Sequence, residues 1–232
     1  MPPTQCGRHL TVGTFCSPEF KLPPLRGEIS RRERKEYIVK LQEEGWDSSL
    51  SSNHKRNIKK AVTAGVTVQR VGGRLDRLAE HVRLMEKSLG RRTARGESVP
   101  VGSGDKEEIQ SYLEFGAGEL YQAVRNDIVL SSILVLRSKS VAYYQSAGTS
   151  PDGMSVGASH FLIHETCKIL RSDGVRVFNL GGAPEGSSLA RFKVGFGAAE
   201  VSLEACSCDL GPLWLKKVRT ALNMVRSGRN RL

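Results

Sequence analysis

The chain lacks long apolar runs and has no leader-like segment at its amino terminus. No uninterrupted apolar stretch approaches the roughly 18–20 residues that cross a bilayer. The first residues contain no apolar core of the kind found in a secretory signal. We therefore expect no transmembrane segment, whereas contact with a membrane surface stays open.

Cysteine is scarce, and its placement does not predict a disulfide framework. The five cysteines, an odd number, are Cys6, Cys16, Cys167, Cys206 and Cys208. One residue separates the last two, which is not the two-residue spacing of a zinc motif, although alternate residues of a strand do share a face. We expect a reduced, cytoplasmic protein without a bound metal.

Acidic residues are outnumbered, with 24 Asp and Glu against 35 Lys and Arg, for a formal net charge of +11. The surplus lies in residues 26–40, 54–60, 91–95 and 216–231. Such a charge favours a polyanionic partner, namely RNA, a phosphorylated nucleotide or anionic lipid head groups. The alternative is that the basic segments are solvated faces and tails, and charge alone does not decide between them.

Hydrophobic periodicity predicts one mixed α/β domain over residues 31–232. Residues 1–30 hold five of the nine prolines, so we expect an irregular lead-in or the remnant of a preceding unit. Helices are predicted over residues 31–45, 54–64, 75–89, 105–115, 159–172 and 213–227, and strands over 66–71, 118–124, 128–137, 140–147, 176–180 and 200–208. Short polar turns between the three central strands predict an antiparallel meander.

The most informative segment is residues 176–198, in which a strand ends on Gly181 and Gly182. Glycine lets a backbone approach another backbone or a ligand closely. A short amphipathic segment then places Phe192 and Lys193 among apolar residues and further glycines, so the ammonium should lie near the protein body. A held ammonium can stabilise a developing oxyanion. The alternative is a lysine that snorkels from an amphipathic helix.

A loop of small residues, 155–159, precedes the helix predicted over residues 159–172. Its backbone N–H groups and the helix dipole could hold a phosphate or pyrophosphate. The alternative is an ordinary capped helix start.

Three stretches carry a resemblance to a known superfamily. They are SNHKRNIKKA (52–61), VAYY (141–144) running on to SHFL (159–162), and FNLGG (178–182) with RFKVGFG (191–197). Together they resemble GNAT acyltransferases, and most closely the Fem-type (FemABX) branch of aminoacyl- and peptidyltransferases. The resemblance implies an α/β fold with a mixed, mostly antiparallel sheet flanked by helices. Fem-type proteins carry two GNAT-like units, and we expect the second unit here with a shortened first one.

The resemblance also implies an N-acyltransferase reaction and roles for named residues. Lys193 matches the lysine that stabilises the tetrahedral intermediate when an amine attacks an activated carbonyl, and Phe192 matches the aromatic residue beside the acyl donor. The co-substrate is acyl-CoA or aminoacyl-tRNA, with no permanently bound cofactor, and the acceptor is an amine of a cell-wall precursor or a small metabolite. The expected donor site comprises Val156, Gly157, Ala158, Ser159, Asn179, Gly181 and Gly182.

The remaining site predictions concern the acceptor, the phosphates and the base. For acceptor or phosphate binding we predict Arg56, Lys59, Lys60, Tyr144 and Arg191, although a solvated helix face explains the first three equally well. The sequence offers Glu185, His160 and His164 as bases and favours none of them. A different class of function also stays open, namely a non-catalytic basic module on a GNAT scaffold that binds RNA or an anionic surface.

Overall fold

The computed structural model describes residues 9–96 and 105–210, and the chain divides into two compact units. The first comprises Met1–Arg34 and Ser202–Leu232, and the second is Lys35–Val201. The domain boundary at residues 30 and 31 stays a prediction, although a short strand, β1 (His9–Gly13), lies in the segment expected to be irregular.

Within the first unit, β1 pairs antiparallel with β8 (Ala199–Asp209), whose other neighbour is β2 (Glu28–Lys40). The prediction of a helix over residues 31–45 was wrong, because the strand β2 occupies most of that segment. Its buried end contains Tyr37, Ile38 and Val39, which are residue types that pack well on a pleated sheet.

In the second unit, the sheet order is β2, β7, β6, β5, β4, β3. The strands are β3 (Thr67–Gly72), β4 (Gly118–Arg125), β5 (Ile128–Arg137), β6 (Val141–Thr149) and β7 (Val177–Gly182). Strands β4, β5 and β6 form the predicted antiparallel meander. Asn126 and Asp127 between β4 and β5 both have positive φ, as a tight hairpin turn requires. The β6–β7 pairing is parallel, whereas the β2–β7, β3–β4, β4–β5 and β5–β6 pairings are antiparallel.

The helices are α1 (Ser52–Thr63), α2 (Leu78–Ala94), α3 (Lys106–Glu114), α4 (Pro151–Ser155), α5 (Ala158–Ser172) and α6 (Ser188–Val194). Ser51 caps α1, because its hydroxyl accepts a hydrogen bond from the N–H of His54. Helix α2 continues through Gly90, where the sequence predicts an end, and Arg91 in its next turn donates to the carbonyl of Thr149 in β6. The helix predicted from residue 213 lies outside the described residues. No helix within the described ranges is long and apolar enough to cross a bilayer.

Two main apolar clusters pack against the sheet of the second unit. Ile133 and Val135 of β5 belong to the cluster that includes α1 and α5, whereas Leu134 belongs to the one that includes α2 and α3. Alternate residues of a strand point to opposite faces, so helices cover both faces. The predicted mixed, mostly antiparallel sheet flanked by helices is confirmed.

Strands β6 and β7 stay together over a short distance only. Their parallel pairing joins residues 141–143 to residues 177–179. Beyond it, β6 continues beside β5 and β7 continues beside β2. Just past the last pair, Tyr144 of β6 and Leu180 of β7 line a small space together with side chains of α6. This end of the pairing is where the candidate site lies.

Candidate active site

Lys193 is buried near the end of α6, a short helix that Ser187 caps through its hydroxyl. Only 6% of the residue is exposed. Its Nζ donates to the carbonyl oxygen of Gly182 at 2.6 Å and lies 5.9 Å from the centroid of the Tyr37 ring. The ammonium is therefore held in the protein body, as the sequence predicts, and does not reach out along a solvated surface.

Burial changes the acid–base character of Lys193. Loss of water around the ammonium lowers its pKa from 10.5 to about 8, and the nearby charge of Arg92 acts in the same direction, while Glu36 opposes them. The group is thus still charged at neutral pH. An ammonium has three N–H donors, and the carbonyl of Gly182 takes one of them. The others can serve a substrate oxygen.

The glycine pair at the end of β7 lies directly beside this ammonium. Gly181 has φ +75°, and a Cβ atom there would lie 3.6 Å from Nζ of Lys193 and 3.3 Å from the hydroxyl of Tyr143. Its N–H donates to Oδ1 of Asn179 at 2.7 Å, and Nδ2 of Asn179 donates to Glu36 at 2.6 Å. Asn179 is fully buried, and its side chain holds the backbone of Gly181 at the strand end through this hydrogen bond.

Cavities lie along α6, and Lys193 lines the one between α6, β6, α2 and α3. This cavity has a volume of about 310 Å³. Its lining comprises Met85, Leu89, Arg92, Asp105, Glu108, Ile109, Tyr112, Tyr144, Gln145, Ser146, Ala147, Leu189 and Lys193.

A larger cavity of about 860 Å³ lies between α6 and the start of α1. It is lined by Ser49, Ser51, Asn53, His54, His160, Gly186, Ser188, Ala190, Arg191, Phe192, Val194 and Gly195. A space of about 20 Å³ shares Phe192 with this cavity and shares Tyr144, Leu189 and Lys193 with the smaller one. The two cavities therefore approach each other at Lys193 and Phe192.

The structure brings some of the predicted acceptor and phosphate residues to these cavities and leaves others outside. Tyr144 lines the Lys193 cavity, and burial raises the pKa of its hydroxyl. Arg191 lines the larger cavity and donates to the carbonyl of Gly186 at 2.7 Å. In contrast, Arg56, Lys59 and Lys60 lie on the exposed face of α1 and line neither cavity.

The predicted donor loop lies against α1. Gly157 has φ +75°, and a Cβ atom there would lie 2.5 Å from the carbonyl oxygen of Asn57. Gly157 and Ala158 are buried, whereas Val156 and Ser159 are partly exposed. The residues of this loop line neither of the two cavities along α6.

The three candidate bases occupy different environments. Glu185 is largely exposed and pairs with Lys35 at 3.2 Å. His160 lines the larger cavity, and burial lowers its pKa to about 4. His164 packs against Trp46, 5.8 Å between ring centroids, beside a separate pocket. Only His160 therefore faces the cavities along α6.

Sequence reasoning missed three residues around Lys193. Glu36 and Tyr37 belong to β2, which was expected to be a helix. In the structure β2 pairs with β7, and this pairing places Glu36 opposite Gly182. His54 lies inside a motif that we quoted, yet a histidine on an amphipathic helix gives no signal of its partner. Within the described part of the chain, no group of three or more His, Cys, Asp or Glu residues could hold a metal ion.

Known families and solved structures share this fold. The family model of the acetyltransferase (GNAT) domain matches residues 48–194. No curated protein matches the chain. Among solved structures, FemX matches with TM-score 0.60 and 16% identity, over 74% of this chain and 61% of that one.

Two further structures share the fold. A conserved protein of unknown function from Bacteroides thetaiotaomicron VPI-5482 has TM-score 0.58 and 10% identity, over 88% of this chain and 63% of that one. L-PGS from Bacillus licheniformis has TM-score 0.54 and 12% identity, over 81% and 65%. The chain thus spans less than two thirds of the length of these structures. Since the family model covers more than half of the sequence, the chain belongs to the GNAT acetyltransferase superfamily, with Fem-like relatives in fold.

Proposed function

We propose that this protein is an N-acyltransferase that moves an acyl or aminoacyl group from an activated donor to an amine. The observation that carries the proposal is the buried ammonium of Lys193, held where β6 and β7 cease to pair and where two cavities approach each other. A lysine has little reason to be buried for packing alone, since desolvating its charge is costly.

The ammonium stabilises the charge that develops during acyl transfer. When the amine nitrogen attacks the donor carbonyl, a C–N bond forms and the carbonyl electron pair moves to oxygen. The N–H groups of Lys193 receive this oxyanion in a site of low dielectric, where such a hydrogen bond is stronger than in water. The intermediate then collapses, the bond from carbon to the leaving sulfur or ribose oxygen breaks, and the proton of the amine passes through water to the leaving group.

The two cavities suit two substrates. We assign the activated donor to the larger cavity, because Phe192 lines this cavity. Phe192 also lines, together with Lys193, the small space between the two cavities. The amine acceptor then occupies the smaller cavity, next to Tyr144. Gly181 and Gly182 let the donor carbonyl approach the ammonium, and residues 156–159 remain our proposal for its phosphates.

Two donor classes fit the proposal, namely acyl-CoA and aminoacyl-tRNA. The net charge of +11 supports a tRNA donor, whereas the small-residue loop before α5 supports coenzyme A. The acceptor is an amine of a cell-wall precursor or a small metabolite. We place the reaction in the cytoplasm, in keeping with the unpaired cysteines Cys16, Cys167, Cys206 and Cys208.

The test pairs donor binding with turnover. A ligand that binds only the folded state raises its melting temperature, so acetyl-CoA, a longer acyl-CoA and aminoacyl-tRNA are compared by thermal shift. With the donor that binds, Lys193→Met should lower turnover by roughly 10²–10³-fold without loss of folding. The matched control is Lys168→Met, which changes an exposed lysine of α5. Unchanged turnover in Lys193→Met would exclude the proposed role.

A further inference from the structure

The carbonyl oxygen of Phe192 accepts no standard helical hydrogen bond. In a regular α-helix the N–H of Phe196 would donate to it, but that N–H donates to the carbonyl of Lys193 at 3.0 Å instead. Nε2 of His54 lies 2.9 Å from the Phe192 oxygen. The N–H of Ser51 also donates to the carbonyl of Gly195 at 2.9 Å. The start of α1 thereby caps the last turn of α6 at two carbonyls.

The contacts of His54 fix which of its ring nitrogens carries the proton. A backbone carbonyl can only accept a hydrogen bond, so Nε2 must be the donor to Phe192. In a neutral ring Nδ1 then accepts, and the hydroxyl of Ser51 lies 2.9 Å from it as the donor. Burial lowers the pKa of His54, which agrees with a neutral ring at pH 7.

Close packing holds the His54 ring in this position. His54 is 3% exposed, and its ring centroid lies 4.4 Å from that of Phe196, 4.7 Å from that of His160 and 5.4 Å from that of Phe192. A Cβ atom on Gly195 would overlap with the imidazole. These contacts hold the ring beside the Phe192 carbonyl.

We propose that His54 is a positioning residue for Lys193, because it holds the peptide group between Phe192 and Lys193 in place. Helix α6 has only seven residues, and a helix this short is not stable by itself. The Lys193 side chain has a flexible four-carbon stem, so the placement of its Nζ against Gly182 depends on a fixed backbone. His54 supplies this support from a different helix. Its effect on catalysis rests on the proposed function, whereas its effect on the lysine does not.

The first test needs no substrate. In protein labelled with ¹³C-lysine, the Cε signal of Lys193 is assigned by its loss in Lys193→Met and is then titrated. The wild-type midpoint should lie near 8. His54→Phe keeps a ring but lacks the donor, and the midpoint should move toward 10.5 by about one unit as the ammonium gains water. His54→Gln retains an N–H near the Nε2 position and should keep the wild-type midpoint. An unmoved midpoint in a folded His54→Phe overturns the proposal.

The second test is kinetic. A displaced lysine lowers kcat, so His54→Phe should lose roughly 10–100-fold in kcat. The KM of the acceptor, whose cavity His54 does not line, should stay within about twofold of wild type, and His54→Gln should recover most of the loss in kcat. Phe196→Leu is the matched control, since it loosens the same cluster and leaves the His54 donor in place. Phe196→Leu should keep kcat. If His54→Phe, like Phe196→Leu, only lowers the melting temperature and keeps kcat, His54 is merely structural.

One further variant, together with Lys193→Met, keeps the outcomes separate. If His54→Phe does not fold, His54→Asn takes its place, because the shorter amide cannot reach the Phe192 carbonyl and should behave in the same way. Full activity in Lys193→Met refutes the oxyanion role of Lys193, whereas a wild-type protein without turnover for any tested donor refutes the proposed function. An inactive Lys193→Met together with a fully active His54→Phe refutes only the positioning role.

Discussion

At the scale of single residues, the state of Lys193 decides how the site works. A lysine with a pKa of about 8 can serve either as a charged donor or, when neutral, as a base. The two roles have opposite dependences on pH. A charged donor is lost as the pH rises through 8, whereas a base is gained over the same range.

We therefore predict that the contribution of Lys193 to turnover falls above pH 8. The measurement is the ratio of the wild-type rate to the Lys193→Arg rate between pH 7 and pH 10. Arginine stays charged throughout this range. The titration of the acceptor amine affects both rates equally and so cancels in the ratio. The ratio should decline by about tenfold per pH unit once the lysine has titrated. A ratio that climbs with pH would assign Lys193 the role of base.

At the scale of elements, the close contact between α1 and α6 depends on Gly195, where a Cβ atom would overlap with the His54 ring. We predict that Gly195→Ala lowers the free energy of unfolding by about 1–3 kcal/mol, as overpacking does. Gly90→Ala is the control, because no atom lies within 4 Å of its Cβ position and alanine favours a helix interior. That variant should be stabilised by about 1 kcal/mol. Urea unfolding of both proteins measures the difference, and equal stabilities would contradict the packing argument.

The elements also show what could be predicted from the sequence. Apolar periodicity and caps were enough for α1, α3, α5 and the meander, because local residue choice and tertiary packing agree there. They failed for β2, whose charged first half has no apolar alternation and whose strand state depends on its place between β8 and β7 in the sheet. The burial of Lys193 could be predicted because its glycine and aromatic neighbours form a pattern, whereas its role in catalysis stays a proposal. His54 was missed because its partner lies 138 residues away.

At the scale of the whole molecule, the excess of positive charge is the feature on which the alternative function rests. Helix α1 contains no acidic residue and exposes Lys55, Arg56, Lys59 and Lys60. Such a face would bind RNA or an anionic surface with strong salt dependence. It lies away from the Lys193 cavity, so binding and acyl transfer can be separated by mutation.

We predict that the triple variant Arg56→Glu, Lys59→Glu and Lys60→Glu keeps its turnover with an acyl-CoA donor. If aminoacyl-tRNA is the donor, its KM should rise and become less sensitive to salt. Lys106→Glu, on exposed α3, is the control for a change of net charge elsewhere. Loss of RNA binding in the triple variant, together with no effect of Lys193→Met on any activity, would instead favour the non-catalytic module.

The buried ammonium of Lys193 also has a thermodynamic cost. Folding takes a charged group out of water, and each unit by which its pKa falls corresponds to about 1.4 kcal/mol of lost stability while the lysine is charged. In the unfolded chain the lysine titrates near 10.5, so between pH 8 and pH 10.5 its contribution to the free energy of unfolding rises as the pH rises. Near neutral pH the residue therefore opposes folding, and the rest of the core must compensate for a side chain whose value lies in its chemistry.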